Sequence, residues 1–530
     1  MRPERRSMGA RRVLVGACAV MGLHAFASAA NEVIQPSVGQ RPTPVFLIIL
    51  DELPRSSLLD ENGGIDADAY PNLARLADAS TRYVATTTVG TRIMDAVPAI
   101  LSGLLPGPEA RSAIAAEYPE TLFTWLGEDY RPNVLEVESA LFAAGRSRTT
   151  QEKQVFSMAN DRQEDTTEHR AFRNFVRRIG PTERRARAAG QGSLHVAHVR
   201  LPRFPWHLVP SGTSYRPYRH FGLRSDVWQS EPAWSDDGWR RHLLQLQFVD
   251  ALIGEFLMAV EKAGIYDEAV IVLTADYGTA FWPGESRRAL KHLPQHPEDL
   301  VHVPLWIKSA GQSTGQVVER PVQTIDIAPT VLDLVGVSTP AGLDGCSLID
   351  EKCAPLEVRS VMYRGPQGRR SIAQFPLNLT ERNETLQRRL ERIGSGREPE
   401  RLYAHGPYAD WVGQPVSSLR ASEGLSEAPA GSVRPHRQWL RAGQGARGPR
   451  VVFHVKLDAP PMATPWVAVV REGVIETIVP APEDFRGQRM LLAMIPERPE
   501  LSSDGALRFF LVEGESAQDA RFRPLPSRGS

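Results

Sequence analysis

The stretch PVFLIIL, Pro44 to Leu50, is apolar on every face and stops abruptly on the carboxylates Asp51 and Glu52. A run this short, with no polar side, reads as a strand covered by other layers above and below, not as one lying on a surface. Three more stretches share the pattern: Ser193 to Leu201 (SLHVAHVRL), Ala269 to Ala275 (AVIVLTA) and His302 to Lys308 (HVPLWIK). Helical patterns stand between and after them: YPNLARLADAS, the long amphipathic RRHLLQLQFVDALIGEFLMAVEKAG stopped by Gly264, and TIDIAPTVLDLVG. Strands alternating with helices predict an α/β fold, a mostly parallel sheet with helices on both faces, over residues 41–354.

Beyond that block, residues 355–430 are expected to connect, with one helix at NETLQRRLERIG. Residues 431–525 carry RVVFHVKL, WVAVVREGVIETIV and ALRFFLVEG, which predict a small antiparallel β domain. The Arg-rich stretch Arg170 to Arg187 reads as a solvated helix face before it reads as an anion patch. Asn378 and Asn383 begin glycosylation sequons, which matter only in a eukaryotic secretory pathway.

The N-terminus has the form of a signal peptide over residues 1–29: basic MRPERRSMGARR, an apolar run from Val13 to Phe26, then Ala27-Ser28-Ala29. That run falls short of the ~20 residues a bilayer span needs, and no other segment reads as a span. Cys18 sits inside the run, which continues past it, against a lipoprotein cleavage there; Arg11-Arg12 is a weak twin-arginine signal. The expected location is therefore periplasmic or secreted. Removing the signal leaves Cys346 and Cys353, an even pair in a compartment that permits disulfides, and they are expected to bond to each other. With 62 basic and 62 acidic residues, no net field recruits nucleic acid or an anionic membrane.

In an open α/β sheet, ligands bind beyond the carboxyl ends of the strands. The residues there are Asp51 and Glu52, Arg203, and Asp276-Tyr277-Gly278. Acidic groups from two strand ends, brought into one crevice, suit a divalent cation. A helix beginning after Gly90, capped by Asp95 with Pro98 in its first turn, would aim its N-terminus at an anionic ester.

The ordered set FLIILDE, YPNLARLA, VPAILSG, GIYDEAVIVLTADYG and VQTIDIAPTVLDLVG, from about Thr43 to Ile349, resembles the sulfatase branch of the alkaline phosphatase superfamily. The resemblance implies an alkaline-phosphatase-like sandwich. It also implies a divalent metal, calcium in sulfatases and zinc in lipid-linked transferases, and cleavage or transfer of sulfate or phosphate esters through a covalent intermediate on Thr, Ser or a modified Cys.

Three positions depart from that pattern. Where such relatives carry the nucleophile, five residues before the proline of PAILSG, this chain has Ile93, which has no lone pair to attack an ester. Where they read TADHG, it reads Ala275-Asp276-Tyr277-Gly278; where they read LPHxPW, it reads Leu201-Pro202-Arg203-Phe204-Pro205-Trp206. A guanidinium cannot ligate a cation, but Arg203 could stand in for one by pairing with Asp51 or Asp276.

Asp51, Glu52 and Asp276 remain as metal donors, too few for a complete site, so no cofactor is expected, with zinc or calcium as the alternative. The pocket is expected to include Ile93, Arg203, Tyr277 and His207. These positions favour a non-catalytic exported binding or accessory protein, its partner an anionic envelope ligand or another envelope protein. The rival is a metal-dependent hydrolase or headgroup transferase that uses Thr91 as a shifted nucleophile; a third reading puts the activity in the C-terminal β domain. Taken singly, Thr91, His207, His292, His296 and His302 are more simply loop or surface residues.

Overall fold

The computed structural model describes residues 41–142, 168–214, 222–289, 296–354, 358–365, 369–376, 387, 402–403, 406–418, 430–435, 450–458, 463–495, 507–513 and 521–527. The signal peptide, both sequons, His292 and all but one residue of the NETLQRRLERIG helix lie outside these.

In chain order the first part runs β1 (Val45–Asp51), α1 (Pro71–Asp78), β2 (Thr81–Tyr83), α2 (Ile93–Ser102), β3 (Tyr130–Leu135), α3 (Glu168–Arg177) and α4 (Ile179–Ala188). It continues β4 (Gly192–Pro202), α5 (Pro232–Lys262), β5 (Val270–Ala275), β6 (Leu305–Lys308), β7 (Gln316–Val318) and α6 (Ile327–Leu334). The strands form one seven-stranded sheet in the order β7-β2-β6-β5-β1-β4-β3. Every pairing is parallel except those of β6, which runs against both neighbours.

β1 lies near the middle, and alternation along it divides the core in two. Phe46, Ile48 and Leu50 pack with α1, α3 and α5, including Leu73, Phe175 and Leu246. Val45, Leu47 and Ile49 pack on the other face with Val97, Ile100 and Val331 of α2 and α6. This is the expected α/β sandwich. Leu47 is fully buried there, and trimming it to alanine would cost roughly 2 to 5 kcal/mol.

α5 begins at Pro232, eight residues before the expected Arg240, with proline in its first turn where no intrahelical N–H is needed. It is long and apolar enough to cross a membrane, yet most of it is buried in the core. The Arg-rich stretch forms α3 and α4, and Arg173 grips Glu255 of α5 through two nitrogens at 2.6 to 3.0 Å.

A hairpin, β8 (Val358–Arg364) with β9 (Arg370–Pro376), falls in the region expected only to connect. Its Met362 accepts the Thr91 N–H at 3.0 Å and donates to Val89 O at 2.8 Å, which ties it to the loop before α2.

Two antiparallel sheets follow, built from β10 (Gly431–Pro435), β11 (Arg450–Leu457), β12 (Trp466–Arg471), β13 (Val474–Pro480), β14 (Arg489–Met494), β15 (Leu507–Glu513) and β16 (Arg521–Pro524). They are ordered β10-β11-β14 and β13-β12-β15-β16 and enclose Val433, Phe453, Val467, Leu491 and Phe509. Met490, Leu492 and Met494 pack instead with Trp206, Trp228 and Trp234, beside the loop that carries Arg203. Cys346 and Cys353 are disulfide-bonded, with Cα atoms 5.6 Å apart.

Candidate functional site at the strand ends

Parallel register sets Ile49 of β1 beside His198 of β4, and β5 delivers Asp276 just past Ala275. Asp51, His198 and Asp276 are all buried, and each turns one ligand atom to a common point, the three within 4.8 Å of one another. Neighbouring hydrogen bonds fix these orientations. Asp276 Oδ1 accepts the N–H groups of Glu52 at 3.2 Å and Tyr277 at 2.7 Å, leaving Oδ2 3.4 Å from His198 Nε2. His198 Nδ1 donates to Val137 O at 3.0 Å, so in the neutral ring Nε2 carries the lone pair. Asp51 Oδ2 accepts from Arg203 at 3.2 Å, while Asp51 Oδ1 has no hydrogen-bond partner.

A lone pair and two carboxylate oxygens therefore face one another away from water, and a positive charge belongs between them. The titration behaviour agrees. Burial, then Asp276, pushes Asp51 up to about 7 against the pull of Arg203. Burial opposes the charging of His198, but the Asp276 and Asp51 carboxylates outweigh it and raise its pKa. A proton on His198 or a divalent cation would supply the charge. Two carboxylate oxygens and an imidazole are a zinc-type set of three donors with a place left open; calcium, which takes six or more oxygens, is served poorly. The expectation that the donors fall short counted Asp51 and Asp276 and missed His198. Its signal was a second histidine near the carboxyl end of the strand SLHVAHVRL.

Glu52, expected among the metal donors, faces elsewhere. Its backbone is left-handed at φ 59°, and its carboxylate meets Arg287 Nη1 at 2.5 Å, Arg288 Nε at 3.5 Å and Arg203 Nε at 3.9 Å. It also accepts the Phe204 N–H at 3.2 Å. Burial would raise its pKa, but the three guanidiniums hold it below the usual carboxylate range. Arg203 pairs in addition with Glu138 at 2.7 Å. Protein cations thus already compensate Glu52 and half of Asp51. Arg287 and Arg288 lie past the strand end, in a loop where no sequence pattern distinguished them.

Thr88 Oγ1 donates to Asp276 O at 2.5 Å, which joins the loop before α2 to the strand end. Ile93, the first residue of α2, is buried in one apolar cluster with Tyr277, whose hydroxyl accepts from Arg288 Nη2 at 3.0 Å. Thr91 Oγ1 is buried without a hydrogen-bond partner. Gly90 is required here, because a Cβ on it would come within 2.6 Å of Asp95 Cβ.

Two expectations are corrected. Asp95 does not cap α2: Arg92 occupies the N-cap position, no side chain caps the helix, and Asp95 lies in its first turn, bound to Arg370 Nη1 at 2.6 Å. Pro98 accordingly sits inside the helix. His207 Nδ1 lies 2.7 Å from Pro205 O, and its backbone N–H donates to Gln245 Oε1 at 3.0 Å. His296 stacks on Trp282 with ring centres 4.2 Å apart, and His302 is buried.

Residues 219–337, which include Asp276 and Tyr277, match the Sulfatase family. Over this segment the chain is similar to sulfatases. It is 36% identical over 104 residues to arylsulfatase K of Danio rerio, covering 19% of this chain and 18% of that protein. It is 28% identical over 145 residues to the multifunctional alkaline phosphatase superfamily protein PehA of Trinickia caryophylli, covering 25% of this chain and 27% of that one. The sulfatase-like chain thus aligns with about a fifth to a quarter of the length of these relatives. Among solved structures, the phosphonate monoester hydrolase SpPMH from Silicibacter pomeroyi matches with a TM-score of 0.44 at 16% identity, over 63% of this chain and 85% of that chain.

Proposed function

We propose that this sulfatase-like protein is exported and binds an anionic sulfate or phosphate ester at the crevice without cleaving it through a covalent intermediate. The observation that carries this reading is Ile93. At the head of α2, in one apolar cluster with Tyr277, the side chain offers no heteroatom to an ester. Export is supported by the basic, apolar and small-residue order of residues 1–29 and by the Cys346–Cys353 disulfide.

The cation set suits binding. A divalent ion on Asp51 Oδ1, His198 Nε2 and Asp276 Oδ2 would supply Lewis-acid charge to an ester oxygen. The chain's own part is to aim those donors, by the Val137 carbonyl and the Glu52 and Tyr277 amides, and to neutralise the remaining carboxylates with Arg203, Arg287 and Arg288.

Hydrolysis by a shifted nucleophile is the second reading, favoured by the buried, unpartnered Thr91 Oγ1. Calorimetric titration of zinc-supplied protein with an aryl sulfate and an aryl phosphate, with released phenol followed in the same cell, separates the two. Binding without release supports the binding reading. Release that Thr91→Ala abolishes supports the other.

A further inference from the structure

The loop after β3 reaches the crevice at two consecutive residues. β3 ends with Leu135 beside Ala197 of β4, and the residues that follow meet His198, Arg200 and Arg203. Glu136 folds this loop back on itself: its carboxylate accepts the N–H groups of Leu141 at 2.6 Å and Phe142 at 3.1 Å and the Ser139 hydroxyl at 3.1 Å. Val137 then gives its carbonyl to His198 Nδ1. Glu138, next in the chain, faces two guanidiniums, Arg203 Nη1 at 2.7 Å and Arg200 Nη2 at 3.6 Å. Its backbone is left-handed at φ 54°, a conformation uncommon for a residue with a Cβ.

Two carboxylates share Arg203 Nη1. It donates to Glu138 Oε1 at 2.7 Å and to Asp51 Oδ2 at 3.2 Å, so Glu138 has the shorter hold. The Arg203 and Glu138 side chains are only 15% and 16% exposed, so water screens this contest weakly. Arg200 is not the reason for Glu138, because its Nε already lies 3.1 Å from Glu168. A guanidinium presents parallel N–H groups that match both oxygens of one carboxylate. Without Glu138, Arg203 would be free to close on Asp51 in that way. It would then occupy Oδ1, which has no hydrogen-bond partner, and set a fixed positive charge where a cation would go.

We propose that Glu138 is a positioning residue for the cation site: its carboxylate holds Arg203 back from Asp51 and so keeps Asp51 Oδ1 open to a divalent ion. The inference rests on the reading that Asp51, His198 and Asp276 take a cation. It gives the loop one task on each side of the trio, the Val137 carbonyl fixing the lone pair of His198 and the Glu138 carboxylate fixing the guanidinium. Arg203 is then a resident charge that competes with the metal.

The test is calorimetric titration of the metal-freed full chain with zinc, reading the site that His198→Ala removes. Glu138→Gln should weaken zinc binding by about tenfold or more, the loss expected for a group that acts behind a ligand. Arg203→Met should tighten it. In the Arg203→Met background, Glu138→Gln should change zinc affinity by less than about threefold, because the group it acts through is gone. Glu138→Gly, which suits the left-handed backbone, should weaken zinc binding as Glu138→Gln does and keeps the test decisive where Glu138→Gln folds poorly. Equal losses in the two backgrounds would show that Glu138 only supports the loop and would overturn the proposal. Wild-type affinity in either Glu138 variant, or weaker binding by Arg203→Met, would overturn it too. A wild type without the zinc site would defeat the cation reading and this inference together, whereas a zinc site indifferent to Glu138 would defeat this inference alone. Ester cleavage by the wild type would defeat binding without cleavage and leave the role of Glu138 standing.

Discussion

His198 Nε2 and Asp276 Oδ2 face each other at 3.4 Å between fully buried side chains, while His198 Nδ1 is committed to the Val137 carbonyl. With an Asp51 carboxylate oxygen within 4.8 Å of both, the pair is an acceptor facing acceptors unless a positive charge intervenes. The wild-type protein, freed of metal and then titrated with zinc, is expected to bind one ion per chain, and His198→Ala to weaken that binding by more than about tenfold. Calorimetry with metal analysis by mass spectrometry measures both. Equal zinc binding by the two proteins, or none by the wild type, would sink the assignment.

Glu52 is the electrostatic hinge of the other half of the crevice. Its buried carboxylate compensates Arg287, Arg288 and Arg203 at once. Glu52→Gln leaves those guanidiniums with one charge fewer to answer them, a loss on the order of 3 to 5 kcal/mol for a broken buried pair. Urea unfolding should show the midpoint fall with little change in slope. A variant as stable as the wild type would mean that water reaches the cluster.

Acid sensitivity should come in part from His195. Stacked on Phe46 with ring centres 4.3 Å apart and bonded to Asn133 at 3.0 Å, it is pushed down to about 3 by burial and by Arg178. A base with a lowered folded-state pKa takes up its proton in the unfolded chain first. Its effect is therefore nil above about pH 6.5, and stability falls as pH drops from there toward about 3, by roughly 1.4 kcal/mol per pH unit from this residue. In His195→Phe the slope of stability against pH between about 6 and 4 should be shallower. Identical slopes would contradict the assignment.

β1 and the acids at its end were legible because a seven-residue apolar run bounded by carboxylates has few other uses. Ile93 was legible as a missing nucleophile because the helix that follows it keeps its pattern. His198 was hidden by its setting. Inside SLHVAHVRL it is one of two imidazoles with nothing to set it apart, and only the pairing with β1 carries it to Asp51. Arg370 was hidden by distance, since it reaches α2 through a hairpin more than 250 residues along the chain, whose strands carry no distinctive period. The Asp95 cap failed for a local reason: the helix starts two residues before it, and Arg370 takes its carboxylate.

The most direct test of the binding reading is the intact mass of the protein, supplied with zinc and incubated with an aryl phosphate or an aryl sulfate, compared between wild type and Ile93→Thr. The wild type should stay unmodified and release no phenol. Ile93→Thr, which places a hydroxyl at the head of α2, should gain a covalent phosphoryl or sulfuryl adduct on residue 93, with the phenol released. A wild-type chain that carries the adduct on Thr91 and turns the ester over would contradict binding without cleavage.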